Sequence, residues 1–203
     1  MRDPERHLIQ PDLSLDQSST ERDLFELAAV VDHCKACSLH RTRQRTVFGA
    51  GSASAECLFV GEAPGAEEDR RGLPFVGRAG QLLDAMIFAL GLERDQTYIA
   101  NVLKCRPPDN RDPQGEEVHS CETYLHRQIQ LIEPRLIIAL GRFAAQSLLR
   151  SSLPIGRLRG LRHSYEPFGI PLIATYHPAY LLRSPLEKRK VWSDLRLAKT
   201  VLS

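Results

Sequence analysis

The sequence predicts an α/β protein whose mostly parallel β-sheet is covered by helices on both faces. Short apolar runs of strand length alternate along the chain with longer segments in which apolar residues recur at helical spacing. Glycines and prolines separate these runs and mark the turns between them. Strands that alternate with helices in this way form parallel sheets, because each return to a parallel strand requires a crossover helix.

The predicted helices are the segments in which leucine, alanine, isoleucine or valine recur every three or four residues. They are expected at 21–31, 79–90, 114–132, 141–149 and 186–202. Ser19 or Thr20 is expected to cap the first helix, because a side-chain oxygen at that position accepts a free backbone N–H. Gly91 follows the second helix in the position where glycine commonly ends helices.

The predicted strands are short apolar runs bounded by turn residues, at 57–60, 98–103, 136–140, 161–165 and 172–175. The basic, glycine-containing segment 38–54 is expected to be a loop. Ligands of open parallel sheets bind at loops that leave the carboxyl ends of the strands. The loops after Val60, Leu103 and Thr175 are therefore the candidate ligand-binding loops.

Composition and length predict one compact soluble domain. Hydrophobic residues make up 42% and charged residues 26% of the 203 residues, which is ordinary for a globular protein. Residues 1–18 lack periodicity and are expected to form a flexible tail, which leaves a single domain at 19–203. No apolar run approaches the roughly 20 residues that cross a bilayer, and the polar N-terminus lacks a secretory signal. A cytoplasmic location and no membrane partner are expected.

The formal net charge is only +2, from 27 basic and 25 acidic residues, so overall charge says little about partners. The basic residues do cluster locally, at 41–45, 157–162 and 183–190. Three such clusters on one face could neutralise the phosphates of a nucleic acid. They could equally be three separate solvated surfaces.

Four of the five cysteines form a candidate metal site. Cys34 and Cys37 are a C-x2-C pair, and Cys105 and Cys121 flank a proline-rich stretch. Their polar neighbours favour a ligand role over scattered core cysteines, and four thiolates suit either zinc or an iron–sulfur cluster. The spacing alone does not choose between the two. Cys57 begins an apolar strand and is expected to be a small core residue.

Three blocks of sequence carry a specific pattern. The first has Gly-Glu-Ala-Pro-Gly at 61–65, Gly-Leu-Pro-Phe-Val-Gly at 72–77 and Ala-Gly-Gln-Leu-Leu at 79–83. The second is Tyr-Ile-Ala-Asn-Val-Leu-Lys-Cys-Arg-Pro-Pro at 98–108, and the third is Thr-Tyr-His-Pro-Ala-Tyr-Leu-Leu-Arg at 175–183. Together with the four cysteines, these ordered blocks resemble the family 4 uracil-DNA glycosylases along nearly the whole chain.

The resemblance implies a fold, a cofactor and an activity. The fold is a three-layer α/β/α sandwich with a mostly parallel four-stranded central sheet. The cofactor is a structural [4Fe–4S] cluster on Cys34, Cys37, Cys105 and Cys121. The activity is that of a DNA repair enzyme, expected to be a monomer, which flips uracil out of single- or double-stranded DNA and hydrolyses its N-glycosidic bond.

Each part of such a pocket has a candidate residue. Phe75 lies in a glycine-rich loop and can stack on a flat base, an interaction of about 1–3 kcal/mol. Asn101, in an otherwise apolar strand, presents an acceptor and a donor that match N3–H and O4 of uracil. The ring N–H of His177 can stabilise the negative charge that builds on the departing base. The backbone of Gly61 to Gly65 is expected to hold the pyrimidine, because glycine lets the chain approach a ligand closely.

Two acids are the candidate catalytic carboxylates. Glu62 and Glu68 can stabilise a cationic sugar transition state or orient water, as carboxylates do in glycoside hydrolysis. The residue after Glu62 is Ala63, so no side chain at that pocket position can activate water. Glu62 is the preferred candidate, with Glu68 as a possible support of the loop.

The DNA-contacting residues are predicted at 181–183. Leu181 and Leu182 are expected to fill the vacated base stack as a wedge, and Arg183 to bind phosphate. The loop at 105–112 contains no histidine that could trap the base covalently, so release of free uracil is expected. The alternatives are a DNA-binding module with a metal cluster and no catalysis, and an electron-transfer protein.

Overall fold

The structure is a computed structural model that describes residues 18–203, so the tail predicted for 1–18 lies outside the described residues apart from Ser18. The described helices are α1 (Ser19–Asp32), α2 (Ala66–Arg71), α3 (Arg78–Leu90), α4 (Gly115–Ile132), α5 (Arg142–Leu149), α6 (Ile155–Leu158), α7 (Pro178–Arg183) and α8 (Lys188–Leu202). The strands are β1 (Ala50–Gly51), β2 (Cys57–Gly61), β3 (Tyr98–Asn101), β4 (Leu136–Leu140), β5 (Arg162–Tyr165) and β6 (Ile170–Thr175).

The strands described between residues 18 and 203 form one six-stranded sheet in the order β1-β3-β2-β4-β6-β5. The four central strands are parallel, while β1 and β5 pair antiparallel at the two edges. The prediction of an α/β fold with a mostly parallel sheet is confirmed, and the predicted count of four strands is wrong. The difference lies at the edges: β5 folds back on β6, and β1 is a two-residue strand within the segment that was expected to be a loop.

Helices pack on both faces of the sheet, because successive side chains of each strand point to opposite sides. Leu58 and Val60 of β2 pack in one core with buried residues of α1, α4 and α5. Phe59, between them, packs in a second core with buried residues of α3 and α8. Strands buried on both faces explain why β2, β4 and β6 are nearly continuous apolar runs. No helix within residues 18–203 is long and apolar enough to cross a membrane.

Several element boundaries differ from the predictions. Ser18 caps α1, where Ser19 or Thr20 was expected, and forms a reciprocal capping box with Glu21. Strand β3 ends at Asn101, where the chain leaves the sheet. The segment after β3 stays paired with the end of β2, because the N–H groups of Val102 and Leu103 donate to the carbonyl oxygens of residues 61 and 62 at 2.9 and 3.0 Å. Gly91 ends α3 in the left-handed conformation as predicted.

Candidate active site

A cleft of about 470 Å³ opens at the carboxyl edge of the parallel strands. The loops that follow β2, β3 and β6 all contribute to its walls, as the sequence predicts. The predicted site residues that line it are Glu62, Ala63, Glu68, Phe75, Asn101, His177 and Arg183. Three separate stretches of the chain therefore meet at one site.

Gly61, the last residue of β2, lies against both Phe75 and Asn101. A Cβ atom at Gly61 would lie 2.4 Å from Oδ1 of Asn101 and 2.7 Å from Cζ of Phe75, closer than real side chains allow. Only glycine fits between the ring and the amide without moving one of them. The lack of a side chain at Gly61 thus keeps both groups at the floor of the cleft.

Asn101 brings an unpaired hydrogen-bond acceptor into the cleft. Only 2% of the residue is exposed, and its Oδ1 atom has no hydrogen-bond partner in the part of the chain that the structure describes. A buried polar atom left unpaired costs about 1–3 kcal/mol, so such atoms are rare in folded proteins. An acceptor kept in this state is suited to a ligand that donates an N–H.

Phe75 is fixed in an unusual backbone conformation with its ring beside His177. Its φ angle is +52°, in the left-handed region that side chains rarely adopt, and the two ring centroids are 5.5 Å apart. The Arg94 guanidinium donates to the carbonyl oxygens of Pro74 and Phe75 at 2.8 and 3.3 Å. Gly80 lies so close that a Cβ there would overlap the Phe75 carbonyl. These contacts hold the strained residue in place.

Glu68 holds the same loop from its other side. One carboxylate oxygen accepts the backbone N–H groups of Val76 and Gly77, at 3.0 and 3.3 Å. The second oxygen faces Gly65, where a Cβ would lie 2.8 Å away. The contacts of Glu68 therefore match the support role that the sequence analysis considered for it.

His177 follows β6 and caps the short helix α7. Its Nδ1 accepts the backbone N–H of Ala179 at 3.1 Å, which leaves the proton of the neutral ring on Nε2. Burial, with a smaller contribution from the positive charge of Arg183, lowers the pKa of His177 to about 4. The imidazole is therefore neutral near pH 7 and can offer one N–H to a ligand.

The carboxyl group of Glu62 has a raised pKa. Burial, with a smaller contribution from the nearby carboxylate of Asp112, raises the pKa of its carboxyl to about 7, and Arg142 opposes the shift. Asp112 and Arg142 form an ion pair at 3.1 Å. A carboxyl that titrates near neutral pH can exist as either acid or base under working conditions, which is common at catalytic sites.

The predicted wedge is only partly exposed. Leu181 is 1% exposed and packs in the core with α3 and α8, so it cannot enter DNA and that prediction is wrong. On this one-and-a-half-turn helix, Leu182 is 38% exposed and Tyr180 is 36% exposed. Tyr180 lines the cleft beside Arg183, a position that sequence reasoning missed.

Sequence reasoning also missed the cleft residues from the proline-rich loop, which are Pro107, Asn110 and Arg111. The loop is tied to α4, because the Arg111 guanidinium donates to both carboxylate oxygens of Glu117, at 2.9 and 2.6 Å.

Two predicted phosphate-binding arginines have other partners: Arg159 binds the buried Asp194, and Arg43 donates to Cys105. These two arginines are therefore held by other parts of the chain.

The four predicted ligand cysteines line one small cavity, which shares no lining residue with the cleft. Cys34 and Cys37 reach it from the end of α1, Cys105 from the loop after β3, and Cys121 from α4. Cys57 is buried in the sheet away from them, as predicted. Within residues 18–203, no group of three or more Cys, His, Asp or Glu side chains is arranged to hold a single metal ion.

Hydrogen-bond donors surround the sulfur atoms of this cavity. The Arg43 guanidinium donates to Sγ of Cys105 at 3.1 Å, and the N–H of Ala36 donates to Sγ of Cys34 at 3.5 Å. The Tyr124 hydroxyl bonds to Cys34 as well. Donors directed at sulfur stabilise thiolates and are the usual surroundings of iron–sulfur clusters. The donor set therefore fits a thiolate-bound group.

Comparison with known proteins agrees with this architecture. The family model of the uracil DNA glycosylase superfamily matches residues 48–196, which is well over half of the chain. A type-4 uracil-DNA glycosylase of Archaeoglobus fulgidus is 45% identical over 179 residues, covering 85% of this chain and 90% of that protein. One of Thermotoga maritima is 41% identical, covering 90% of this chain and 97% of that protein.

A type-5 uracil-DNA glycosylase of Pyrobaculum aerophilum is more distant, at 32% identity over 64% of each chain. The fold and the cleft thus define a member of this superfamily. The chain belongs to the type-4 uracil-DNA glycosylases, which confirms the family that the sequence motifs indicated.

Proposed function

We propose that this protein removes uracil from DNA and that the cleft binds the extruded base. The observation that carries the proposal is the unpaired Oδ1 of Asn101, which faces a slot bounded by Gly61, Phe75 and His177. An enzyme that acts on a base must first take it out of the stack, and the slot is open at the carboxyl edge for its entry.

Asn101 selects the base through its amide. Oδ1 accepts N3–H of uracil and Nδ2 donates to O4, while cytosine presents the opposite pattern at both positions. A mismatch would leave buried polar groups without partners, which is how such sites discriminate strongly between similar ligands. Phe75 stacks on the pyrimidine ring, and Gly61 leaves room for it.

His177 and Glu62 act on opposite charges of the transition state. The bond between C1′ of the sugar and N1 of uracil breaks, and its electron pair leaves with the base. The Nε2–H of His177 donates to O2 and stabilises that anion. The carboxylate of Glu62 stabilises the cationic sugar and orients the water whose oxygen bonds to C1′, and it can accept the proton that this water loses. Solvent then protonates the uracil, which leaves free.

The same cleft has to position DNA. Leu182 and Arg183 remain the proposed contacts for the vacated stack and for phosphate, since both are accessible at the end of α7. Glu68 supports the loop that carries Phe75 and contributes to catalysis through that loop. We expect residues 19–203 to act as one domain, as a monomer and in the cytoplasm.

We propose a [4Fe–4S] cluster on Cys34, Cys37, Cys105 and Cys121. The convergence of four thiols on one cavity and the donors aimed at their sulfur atoms support it. Such a cluster supplies a covalent tie between α1, the loop after β3 and α4, and takes no part in the cleavage. A purified protein that is brown, with absorption near about 400 nm, would separate this cluster from zinc.

The function is tested with a labelled oligonucleotide that contains a single uracil, alongside matched strands with thymine or cytosine at that position. We expect an alkali-sensitive break at uracil alone, because removal of the base leaves an abasic site. Tight binding without a break would favour the DNA-binding module instead. Release of free uracil, detected chromatographically, distinguishes hydrolysis from a covalent trap.

A further inference from the structure

Lys104 lines the four-cysteine cavity and is hydrogen-bonded to the main chain of Asn101, a cleft residue, and only 1% of its surface is exposed. It follows β3 by three residues and directly precedes Cys105. Burial of an ammonium group is costly unless its N–H groups are hydrogen-bonded and its charge is balanced. The proposed chemistry does not use this side chain, so a different role has to account for its burial.

The ammonium group of Lys104 holds the end of β3. Its Nζ donates to the main-chain carbonyl of Asn101 at 2.8 Å and to Oε1 of Gln128 at 2.6 Å. Gln128 is itself fully buried, and its Nε2 donates to the Phe48 carbonyl at 3.0 Å and to the Tyr98 hydroxyl at 3.2 Å. Because these bonds orient the Gln128 amide, its oxygen stays directed at the lysine.

The other contacts of Lys104 lead to the cysteine cavity, which it lines. Its backbone N–H donates to the sulfur of Cys121, and Cys105 is its neighbour in the chain. The thiols of both cysteines line the same cavity as Lys104. Metal ligation requires thiolates, so the bound group would supply the negative charge that balances Lys104.

We propose that Lys104 is a positioning residue that links the two sites, holding the Asn101 carbonyl while balancing the charge of the cysteine site. The inference rests on the proposed function of the cleft and the proposed cluster. Oδ1 of Asn101 has no hydrogen-bond partner among residues 18–203, so its direction depends on how the main chain of this residue is held. Lys104 and Gln128 supply that hold, and neither is among the residues that line the cleft.

The test substitutes Lys104→Met, which keeps the aliphatic chain and removes the charge and the hydrogen bonds. Calorimetric titration with free uracil should show binding at least about tenfold weaker, as when a group that orients a binding residue is lost. The reduction potential of the cluster should become more negative, because a nearby positive charge that stabilises the reduced form is gone. Lys199→Met, at an exposed position of α8, is the matched control and should change neither value.

Gln128→Met is the second variant and keeps the charge of Lys104. It should also weaken uracil binding, through loss of one anchor, but leave the reduction potential close to that of the wild type. This variant tests the positioning role even if Lys104→Met does not fold. A merely structural role would lower the folded fraction without changing the affinity of the folded molecules for uracil.

Uracil binding as tight as that of the wild type in both variants would overturn the inference. So would a reduction potential that Lys104→Met leaves unchanged, because the link to the cysteine site would then be absent. A wild-type protein that neither binds uracil nor cleaves uracil-containing DNA would contradict the proposed function itself. Failure of the inference and failure of the proposed function are therefore distinguishable.

Discussion

Gly61 shows how one missing side chain can decide whether a pocket exists. A Cβ at this position would overlap both Oδ1 of Asn101 and the ring of Phe75, so the amide and the ring could not keep their present places. The slot exists because Gly61 has no side chain, whereas any other residue would place a Cβ atom in that space. The glycine is needed here for space, since its φ angle lies outside the left-handed region.

Gly61→Ala should therefore reduce uracil excision about 100-fold or more, because displacement of catalytic groups by about 1 Å has effects of that size. Single-turnover excision measures it, with circular dichroism to establish that the variant is folded. Gly156→Ala is the matched control, since a Cβ there meets open space, and it should excise at the wild-type rate. Full activity in Gly61→Ala would contradict the proposed slot.

Glu62 gives the reaction an expected pH dependence. Burial and Asp112 raise the pKa of its carboxyl to about 7, so the group is protonated below that pH and ionised above it. Because the ionised form is the active one, excision should increase with pH and level off above about 7. Glu62→Gln should be slower by about 100-fold or more and lack this pH step.

The neighbours of Glu62 provide an internal check on that assignment. Asp112→Asn should move the midpoint to lower pH, because a negative charge beside the carboxyl is lost. Arg142→Gln should move it to higher pH, because a positive charge is lost. His177 should add no step between pH 5 and 8, since its pKa is about 4. A midpoint that stays unchanged in Glu62→Gln would assign the step to another group.

At the scale of elements, the loop between β2 and α3 is what places Phe75. Arg94, Gly80 and Glu68 hold the loop from three directions, and its middle forms α2. The sequence does not indicate α2, because Ala-Glu-Glu-Asp-Arg-Arg has no apolar face. Its buried Asp69 is satisfied instead by the N–H groups of Gln44 and Arg45.

Glu68→Ala separates the roles of the two acids. Loss of its hydrogen bonds to Val76 and Gly77 should loosen Phe75 and slow excision by about tenfold or more, while the pH midpoint near 7 remains. Glu67→Ala removes an exposed acid from the same helix and should have no effect. If Glu68→Ala removed the pH step, Glu68 rather than Glu62 would be the catalytic carboxylate.

The elements also explain which parts of the site the sequence could predict. Asn101 and His177 are recognisable because polar residues interrupt the pattern at strand ends, where ligands of parallel sheets bind, and Phe75 because it lies in the glycine-rich loop that follows a strand. Leu181 was assigned wrongly, because adjacent leucines on a short helix do not reveal which one faces the core. The hydrogen bond from Lys104 to Gln128 joins residues 24 positions apart, and no local pattern indicates it.

At the scale of the whole molecule, the apolar runs predict the parallel centre of the sheet, and the edges carry a weaker signal. Strand β1 has two residues and lies among glycines, so neither its length nor its composition marks it. The four cysteines come from the segment after α1, the loop after β3 and α4, so a group held by all four would tie distant parts of the chain together.

Cys105→Ser should therefore lower the melting temperature by about 10 °C or more and remove the absorption near about 400 nm, because a tie across the fold is lost. Thermal melting followed by circular dichroism and visible absorption measure the two effects. Cys57→Ala is the matched control and should keep the absorption, since this thiol lies in the sheet core. Melting and absorption like those of the wild type in Cys105→Ser would exclude a structural cluster there.

The most direct measurement of the central claim is single-turnover base release by the wild type and by Asn101→Asp, on matched strands that carry uracil or cytosine. The wild type should release uracil and leave cytosine in place. Asn101→Asp should lose much of this preference, because its carboxyl no longer offers the amide's acceptor and donor together. A variant that released uracil at the wild-type rate and with wild-type selectivity would show that this amide does not recognise the base.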